Sequence, residues 1–484
     1  MASKRNNRES NNFLSQMLSF SLGPVFGAVF TFAASYIITW VVNPADVGKV
    51  SMFTTSLTLI TLVTNLGLDR AYMREFSAAK DKNSLLFNCL SISILSSSFI
   101  SILIFLFRES ISDFLFDGFD LLSVLLLAFI LPINVFGEYS IYVCRLNAHV
   151  RHYTIAVLSE RISYLIIVVL AIFGIRTYQA IILARFLSIT TKCLTGFVLE
   201  RAAYRFQFKW DRTIISKVLK YGVPYMPALI CSWVLHSMDK YALRMWSTYE
   251  EIGFYSTAYT IVSIIAILQS AFSSFWTPLA YKWYDEDKDV RYFEKVGRYI
   301  TAVLMICCAS IIVLRNAIFH LYKPEYMRSA DMIPFLLFVI SMETMSYVLG
   351  CGINLKRKTG YNTLASGLAC VVNLIGNYIL VPIYGGVGAA IATGISSIIF
   401  LIIKMTVSRA LWYSFSLTNY IINIILMVGM AACALIFGKW YIDSLFLLVF
   451  LLYNYRSINA MFNIGISFIK EKFNPVKSLI WRKV

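Results

Sequence analysis

The sequence predicts an all-α, polytopic membrane protein, and three observations carry that prediction. The chain of 484 residues is 58% hydrophobic and only 14% charged, with a mean hydropathy of +0.70, where a soluble domain carries about a quarter charged residues. The apolar residues come in runs of about 20, the length at which a helix crosses a hydrocarbon core about 30 Å thick. The segments between runs alternate between rich and poor in Lys and Arg, as loops on opposite sides of a bilayer do. In lipid the backbone must satisfy itself, so such runs are helical.

Taken in order, about fourteen spans are expected. They lie near 18–42, 51–68, 85–107, 121–144, 154–174, 178–199, 221–245, 252–275, 299–315, 331–353, 361–382, 386–407, 418–437 and 441–460. The first follows the polar, basic tail MASKRNNRESNN and is too long for a signal-peptide core. That tail, the segments 69–84, 145–153, 200–220, 276–298, 354–360 and 408–417, and the C-terminal tail hold most of the 43 Lys and Arg. They are therefore expected in the cytoplasm, with both termini. The contrast is sharpest between ERAAYRFQFKWDRTIISKVLK and RESISDFLFDGFD. The net charge of +17 reflects this bias and anionic lipid headgroups, and calls for no nucleic acid. Lys356-Arg357-Lys358 reads as a headgroup anchor. The tail ISFIKEKFNPVKSLIWRKV reads as a short membrane-surface helix broken at Pro475.

Nothing in the chain spells an enzyme. The nine cysteines sit singly in apolar runs, apart from the neighbours Cys307 and Cys308. There is no C-x-x-C and no Cys/His cluster along the chain, so neither a disulfide framework nor a metal site is expected. No phosphate-binding loop of the form G-x-x-x-x-G-K-[ST] and no G-x-S-x-G occurs. The largest outer loop, RNAIFHLYKPEYMRSADM, leaves no room for a catalytic domain outside the membrane, which disfavours a membrane polysaccharide polymerase or glycosyltransferase. The expectation is a non-enzyme without cofactor.

An internal repeat gives the domain plan. Asp46-Val-Gly-Lys-Val-Ser51 follows span 1, and Glu251-Ile-Gly-Phe-Tyr-Ser256 follows span 7. Upstream, Leu22-Gly23-Pro24 and Gly222-Val223-Pro224 open the preceding spans. Downstream, Lys80-Asp81-Lys82 falls opposite Asp285-Glu286-Asp287-Lys288. Six spans separate the copies, so both halves keep one orientation, the parallel-repeat plan of transporters with a substrate path between halves. The expected units are a cytoplasmic tail (1–17), a first lobe of spans 1–6 (18–199), a cytoplasmic linker (200–220), a second lobe of spans 7–12 (221–407), two further spans (408–460) and a basic tail (461–484).

Four stretches carry a resemblance: NLGLDRAYMREF, LKYGVPYMPALICSWVLHSMDKYALRMWSTYEEIGFYSTAYTI, HLYKPEYMRSADMIPFL and KRKTGYNTLASGLACVVNLIGNYILVPIYGGVGAAIAT. In their order and spacing they resemble the Wzx-type polysaccharide (O-unit) flippases of the multidrug/oligosaccharidyl-lipid/polysaccharide exporter superfamily. The most specific is N-x-x-x-N followed by P-x-x-G-x-x-G-A-A. The resemblance implies a V-shaped pair of six-helix lobes in a bacterial cytoplasmic (inner) membrane. It implies alternating-access transfer of an undecaprenyl-diphosphate-linked oligosaccharide for O-antigen (lipopolysaccharide), capsule or exopolysaccharide, with a polysaccharide polymerase and a chain-length regulator as partners. The two extra C-terminal spans depart from the twelve-span pattern of many members and keep a lipid II flippase as an alternative. A cation-coupled drug exporter of the same superfamily is another, and would favour acidic rather than basic cavity residues.

Buried charges are the candidates for the work, because an ionisable group in a span is costly and faces a cavity or a partner. In WVLHSMDKYALRMW, Trp233, Lys240 and Arg244 share a helix face. Lys240 and Arg244 are like charges at i, i+4 that an anion would hold, and a lipid-linked diphosphate would supply one. The bland reading is that the helix has reached water there. Asp239 points elsewhere and is expected to pair a cation on the other lobe. Arg185 and Lys192 share a face of span 6 and are expected to line the cavity or pair with another helix. Arg70 and Arg74 stand at the inner end of span 2, either to receive the diphosphate or as ordinary inside charges beside Asp69 and Glu75. Glu343 and Glu138, like Asp239, are candidates for coupling to a proton or sodium gradient, or for ion pairs with Arg161 or Arg185. Asn373 and Asn377 lie i, i+4 and bond between helices or line the cavity.

Overall fold

The computed structural model describes residues 26–174, 177–205 and 209–461. The expectations for the N-terminal tail and for the basic tail beyond residue 461 lie outside the described residues. Among the described residues the chain is all-α, with no strand. The first lobe comprises α1 (Phe26–Val41), α2 (Pro44–Thr64), α3 (Leu68–Glu75), α4 (Lys82–Leu106), α5 (Arg108–Phe116), α6 (Leu121–Leu146), α7 (Val150–Gly174) and α8 (Tyr178–Leu199). The second comprises α9 (Arg212–Trp246), α10 (Tyr249–Val262), α11 (Ile264–Asp285), α12 (Val290–His320), α13 (Ile333–Leu349), α14 (Cys351–Leu355) and α15 (Gly360–Leu411), followed by α16 (Thr418–Ile436) and α17 (Trp440–Tyr453).

Each expected span falls on a helix. By length and composition ten helices can cross a membrane, or eleven when Pro324–Asp331 and α13, bent by 50°, count as one span. Fourteen is not reached on that measure because two of the helices are short and two of the spans run together. α1 and α17 are shorter apolar helices. Span 8 is divided at Ser263 into α10 and α11, and α11 alone is long enough to count. Spans 11 and 12 run together as α15, broken at Gly385 with φ 57° and ψ −132°. Large apolar side chains such as Phe99, Leu106, Leu170 and Leu452 stand exposed on the outside of the bundle, the inverse of a soluble protein's surface. This is a multi-pass membrane protein.

The two repeat copies start their helices in the same way. Asn43 caps α2 by accepting from the Asp46 N–H, with Pro44 in the first turn. Thr248 caps α10 by accepting from the Glu251 N–H. Each side-chain oxygen satisfies one of the orphan N–H groups of a helix start. The acid three residues on also suits the positive end of the helix dipole.

The repeat glycines then permit the lobes to touch. A Cβ on Gly48 would lie 2.0 Å from the Tyr249 carbonyl oxygen, and one on Gly253 2.0 Å from that of Pro44. Ser51 and Ser256, further along the same helices, share a hydrogen bond of 2.6 Å. The motif found twice in the sequence is thus a single seam, each copy packed on the other.

α16 and α17 are fastened to the second lobe through α12. Arg315, 1% exposed, pairs with the buried Asp443 and donates from Nη2 to the Ala434 carbonyl at 3.1 Å. Asn423 accepts from Asn454 at 2.9 Å. Polar bonds of this kind hold helices together where lipid supplies no hydrophobic drive.

Candidate functional site

A cavity of about 570 Å³ lies between the lobes, nearer the Lys- and Arg-rich ends of the helices. α1 contributes Gly27 and Thr31, α6 Glu138, α7 Glu160 and Arg161, α8 Lys192, and the α10–α11 break Thr260 and Ser263. Its charges form a chain. Lys192 Nζ lies 2.9 Å from Glu138 Oε1 and 3.5 Å from Glu160 Oε2. Arg185 Nη1 lies 3.0 Å from Glu160 Oε1. Among the described residues no carboxylate lies within ion-pair distance of Arg161. The wall itself thus carries two cations (Arg161, Lys192) and two carboxylates (Glu138, Glu160), and Arg185, which is outside the lining, adds a third cation to the cluster through Glu160. Glu160 and Arg161 sit inside VLSERISYL, where the cost of an intramembrane charge was the signal that could have found them; Glu160 was not among the expected residues. The sequence reading used Arg161 only as a partner.

The second polar centre lies inside the second lobe. Asp239, 1% exposed, accepts from Asn373 Nδ2 at 3.2 Å, Asn377 Nδ2 at 2.7 Å, Thr393 Oγ1 at 2.7 Å and the Tyr255 hydroxyl at 2.5 Å. Asn373 and Asn377 thus bond between helices α15 and α9. Among the described residues Asp239 has no cation on the other lobe as partner, contrary to the expectation, because α9 turns it into its own lobe toward α10 and α15. The Asn377 Oδ1 atom is buried without a partner.

The other candidates are spread along the lobe contacts. Trp233 Nε1 donates to Thr58 Oγ1 at 3.1 Å, across the seam. Arg244 does not line the cavity. It donates to the Phe114 and Asp113 carbonyls at 2.7 and 3.1 Å and lies 3.4 Å from Asp117 Oδ1. The physical reason is that α9 continues unbroken to Trp246, which carries Arg244 past the seam to the α5 loop of the other lobe. Lys240 is half-buried, has no carboxylate within ion-pair distance among the described residues, and is not in the wall of the cavity. Glu343 lies within electrostatic reach of Lys404, whose Nζ donates to Ser346 at 3.1 Å.

Opposite the seam, at the Lys- and Arg-rich end, the lobes meet again. Arg74 lies over the Tyr221 ring, 4.3 Å from its centroid, while Arg70 pairs with Asp69 at 3.3 Å. Glu75 pairs with Lys217. A Cβ on Gly67 would lie 2.3 Å from the Gly222 carbonyl oxygen. The cavity is thus flanked by lobe contacts at both ends.

Comparison with known proteins fits this geometry. A family model described as polysaccharide biosynthesis protein matches residues 37–329, more than half of the chain. A probable low-salt glycan biosynthesis flippase, Agl15, of Haloferax volcanii is 20% identical over 377 residues, covering 77% of this chain and 78% of the relative. Among solved structures, the lipid II flippase MurJ in an inward closed conformation aligns with a TM-score of 0.69 at 14% identity, over 92% of this chain and 99% of that one. A multidrug resistance MATE family transporter of the MOP superfamily, inward-facing, aligns with a TM-score of 0.63 at 13% identity, over 83% and 96%. The structural likenesses establish that this chain shares the fold of those two proteins.

Proposed function

The chain belongs to the polysaccharide biosynthesis protein family, and on that premise we propose that it is a flippase for a lipid-linked oligosaccharide, the undecaprenyl-diphosphate-linked repeat unit of a surface polysaccharide. The observation that carries the reading is the inter-lobe cavity, whose wall holds Arg161 outside any ion pair among the described residues, beside the chain of Glu138, Lys192 and Glu160. A diphosphate headgroup needs a cation not committed to an ion pair, and Arg161, with Glu160 in electrostatic reach only, is that group. A guanidinium presents its donors in a fork that matches phosphate oxygens. The carboxylates of Glu138 and Glu160 keep the site from holding the diphosphate too tightly to release it. The polyprenyl tail stays in lipid while the headgroup changes sides. No bond is made or broken.

Asp239 supports coupling of this movement to a cation. A buried carboxylate held by neutral hydrogen-bond donors, with no ion pair among the described residues, gains from a bound cation or a proton. The atoms around it can offer the carboxylate, two amide oxygens and a hydroxyl, an all-oxygen set that suits a hard cation such as sodium. The amide orientations are assignments that reverse at little cost. A proton would serve the same carboxylate.

The test is export in a flippase-deficient bacterium supplied with the matching sugar pathway, at equal membrane abundance. Native chain restores surface polysaccharide, and Arg161→Ala accumulates the lipid-linked unit inside. Normal export by Arg161→Ala would remove the cationic-cavity reading.

A further inference from the structure

A second cluster of ligating groups sits away from the cavity, at the Lys- and Arg-rich ends of α6, α7 and α8. His149 and His152 stand one turn apart at the start of α7, and Glu200 follows the last residue of α8. His149 Nδ1 lies 2.6 Å and His152 Nδ1 2.7 Å from the same atom, Glu200 Oε1. The two rings pack edge to face with centroids 5.1 Å apart. Glu200 is buried, while the imidazoles are half-exposed, their side chains at 49% and 36%. Of the four histidines in the chain, two are therefore brought onto one carboxylate.

The backbone is shaped for this convergence. Ala148 takes φ 56°, a left-handed conformation uncommon for a residue with a Cβ. That turn closes α6 with the His149 N–H donating to the Cys144 carbonyl at 2.9 Å. It sets both imidazoles over the end of α8.

We infer that His149, His152 and Glu200 form a three-ligand site for a divalent transition metal of the zinc class. Two imidazoles and one carboxylate are a recurrent zinc donor set, with a fourth position left to water. The three donor atoms lie within 4.8 Å of one another. Tetrahedral bonds of about 2.0–2.1 Å set donors about 3.3 Å apart, so a small side-chain adjustment opens the space. The half-exposed imidazoles provide the entry path, and the buried carboxylate the anchor. The ion would tie the start of α7 to the end of α8, where the linker to the second lobe begins. Tyr153, one residue beyond His152, lines the cavity, so the clamp would hold that part of the cavity wall. The ligands lie about fifty positions apart, which hid the cluster from a reading along the chain; the H-x-x-H spacing of HVRH was its one visible sign.

The test uses full-length protein carrying a tag without histidines, purified in detergent and stripped with a chelator. Zinc chloride is titrated against a chromophoric zinc indicator, and thermal unfolding is followed in parallel. One zinc per chain is expected, with a raised Tm. His152→Ala and Glu200→Gln should each weaken binding at least tenfold and lose the Tm rise, yet keep the native Tm in chelator. His236→Ala/His320→Ala should bind as native does. Should Glu200→Gln fail to fold, the half-exposed pair His149→Ala/His152→Ala decides the matter. Native-like binding by the cluster variants, or zinc passing wholly to the indicator from the native chain, would overturn the site.

Discussion

Asp239 is a carboxylate 1% exposed whose neighbours are two amides and two hydroxyls. Those four hydrogen bonds and Lys240 in electrostatic reach offset part of the cost of burying the charge, and a bound cation or proton would offset more. Sodium chloride should therefore raise the Tm of the native protein above that in choline chloride, and Asp239→Asn should abolish the difference. A sodium effect equal in both would exclude the site from sodium binding. In the cavity, Lys192→Ala leaves Glu138 without its partner and Glu160 with one fewer. Breaking a buried pair from one side costs about 3–5 kcal/mol, so this variant should lose both stability and export. Arg161→Gln should lose export with a smaller loss of stability, because Arg161 acts on Glu160 only at a distance and not through an ion pair; chemical denaturation of the two variants checks the contrast. The sequence exposed which residues carry charge in apolar runs, and so marked Arg185, Lys192 and Asp239. It could not say which way each faced. Arg244 shows why: its partners are carbonyls 130 residues away in the other lobe, and no helical spacing encodes them.

At the level of elements, the repeat was legible as a pattern, while its purpose required the fold. Asp46/Glu251 and Gly48/Gly253 read as a duplicated motif, yet only the packing reveals that each glycine admits the other copy's backbone. Gly253→Ala should force the seam apart, since its Cβ would stand 2.0 Å from a backbone oxygen. Overpacking of this kind costs about 1–3 kcal/mol, and a lower Tm with faster proteolysis of the α9–α10 connection would register it. The span boundaries were harder to read. P-x-x-G-x-x-G appeared as a loop between two spans, and α15 instead passes through it with one strained residue. Gly385 turns at φ 57°, and the next N–H donates to Glu251 Oε2 at 2.8 Å. Glu251 is in turn held by Arg328 at 2.8 Å. Gly385→Ala should cost about 1–3 kcal/mol, read from the denaturation midpoint, with Gly367→Ala on the same helix, where a Cβ meets nothing within 4 Å, as the mild control. The division of span 8 at Ser263 left no mark in the hydropathy.

The whole molecule is two repeat-related lobes that meet at the seam and again at the Lys- and Arg-rich end, with a charged cavity between them and Asp239 in the second lobe. Charge alternation and the repeat made that plan readable before any coordinates, because both are carried by residues near one another in the chain. The contacts that close the lobes are not, since they join residues about two hundred positions apart. Flipping by alternating access requires that the seam open, so joining Ser51 to Ser256 should stop transport. The most direct measurement is export of the lipid-linked unit by Ser51→Cys/Ser256→Cys, oxidised and then reduced, beside each single variant. The expected result is accumulation of the unit inside when the pair is oxidised, export restored on reduction, and native export by the single variants throughout. Native-rate export by the fully cross-linked protein would contradict alternating access through this cavity.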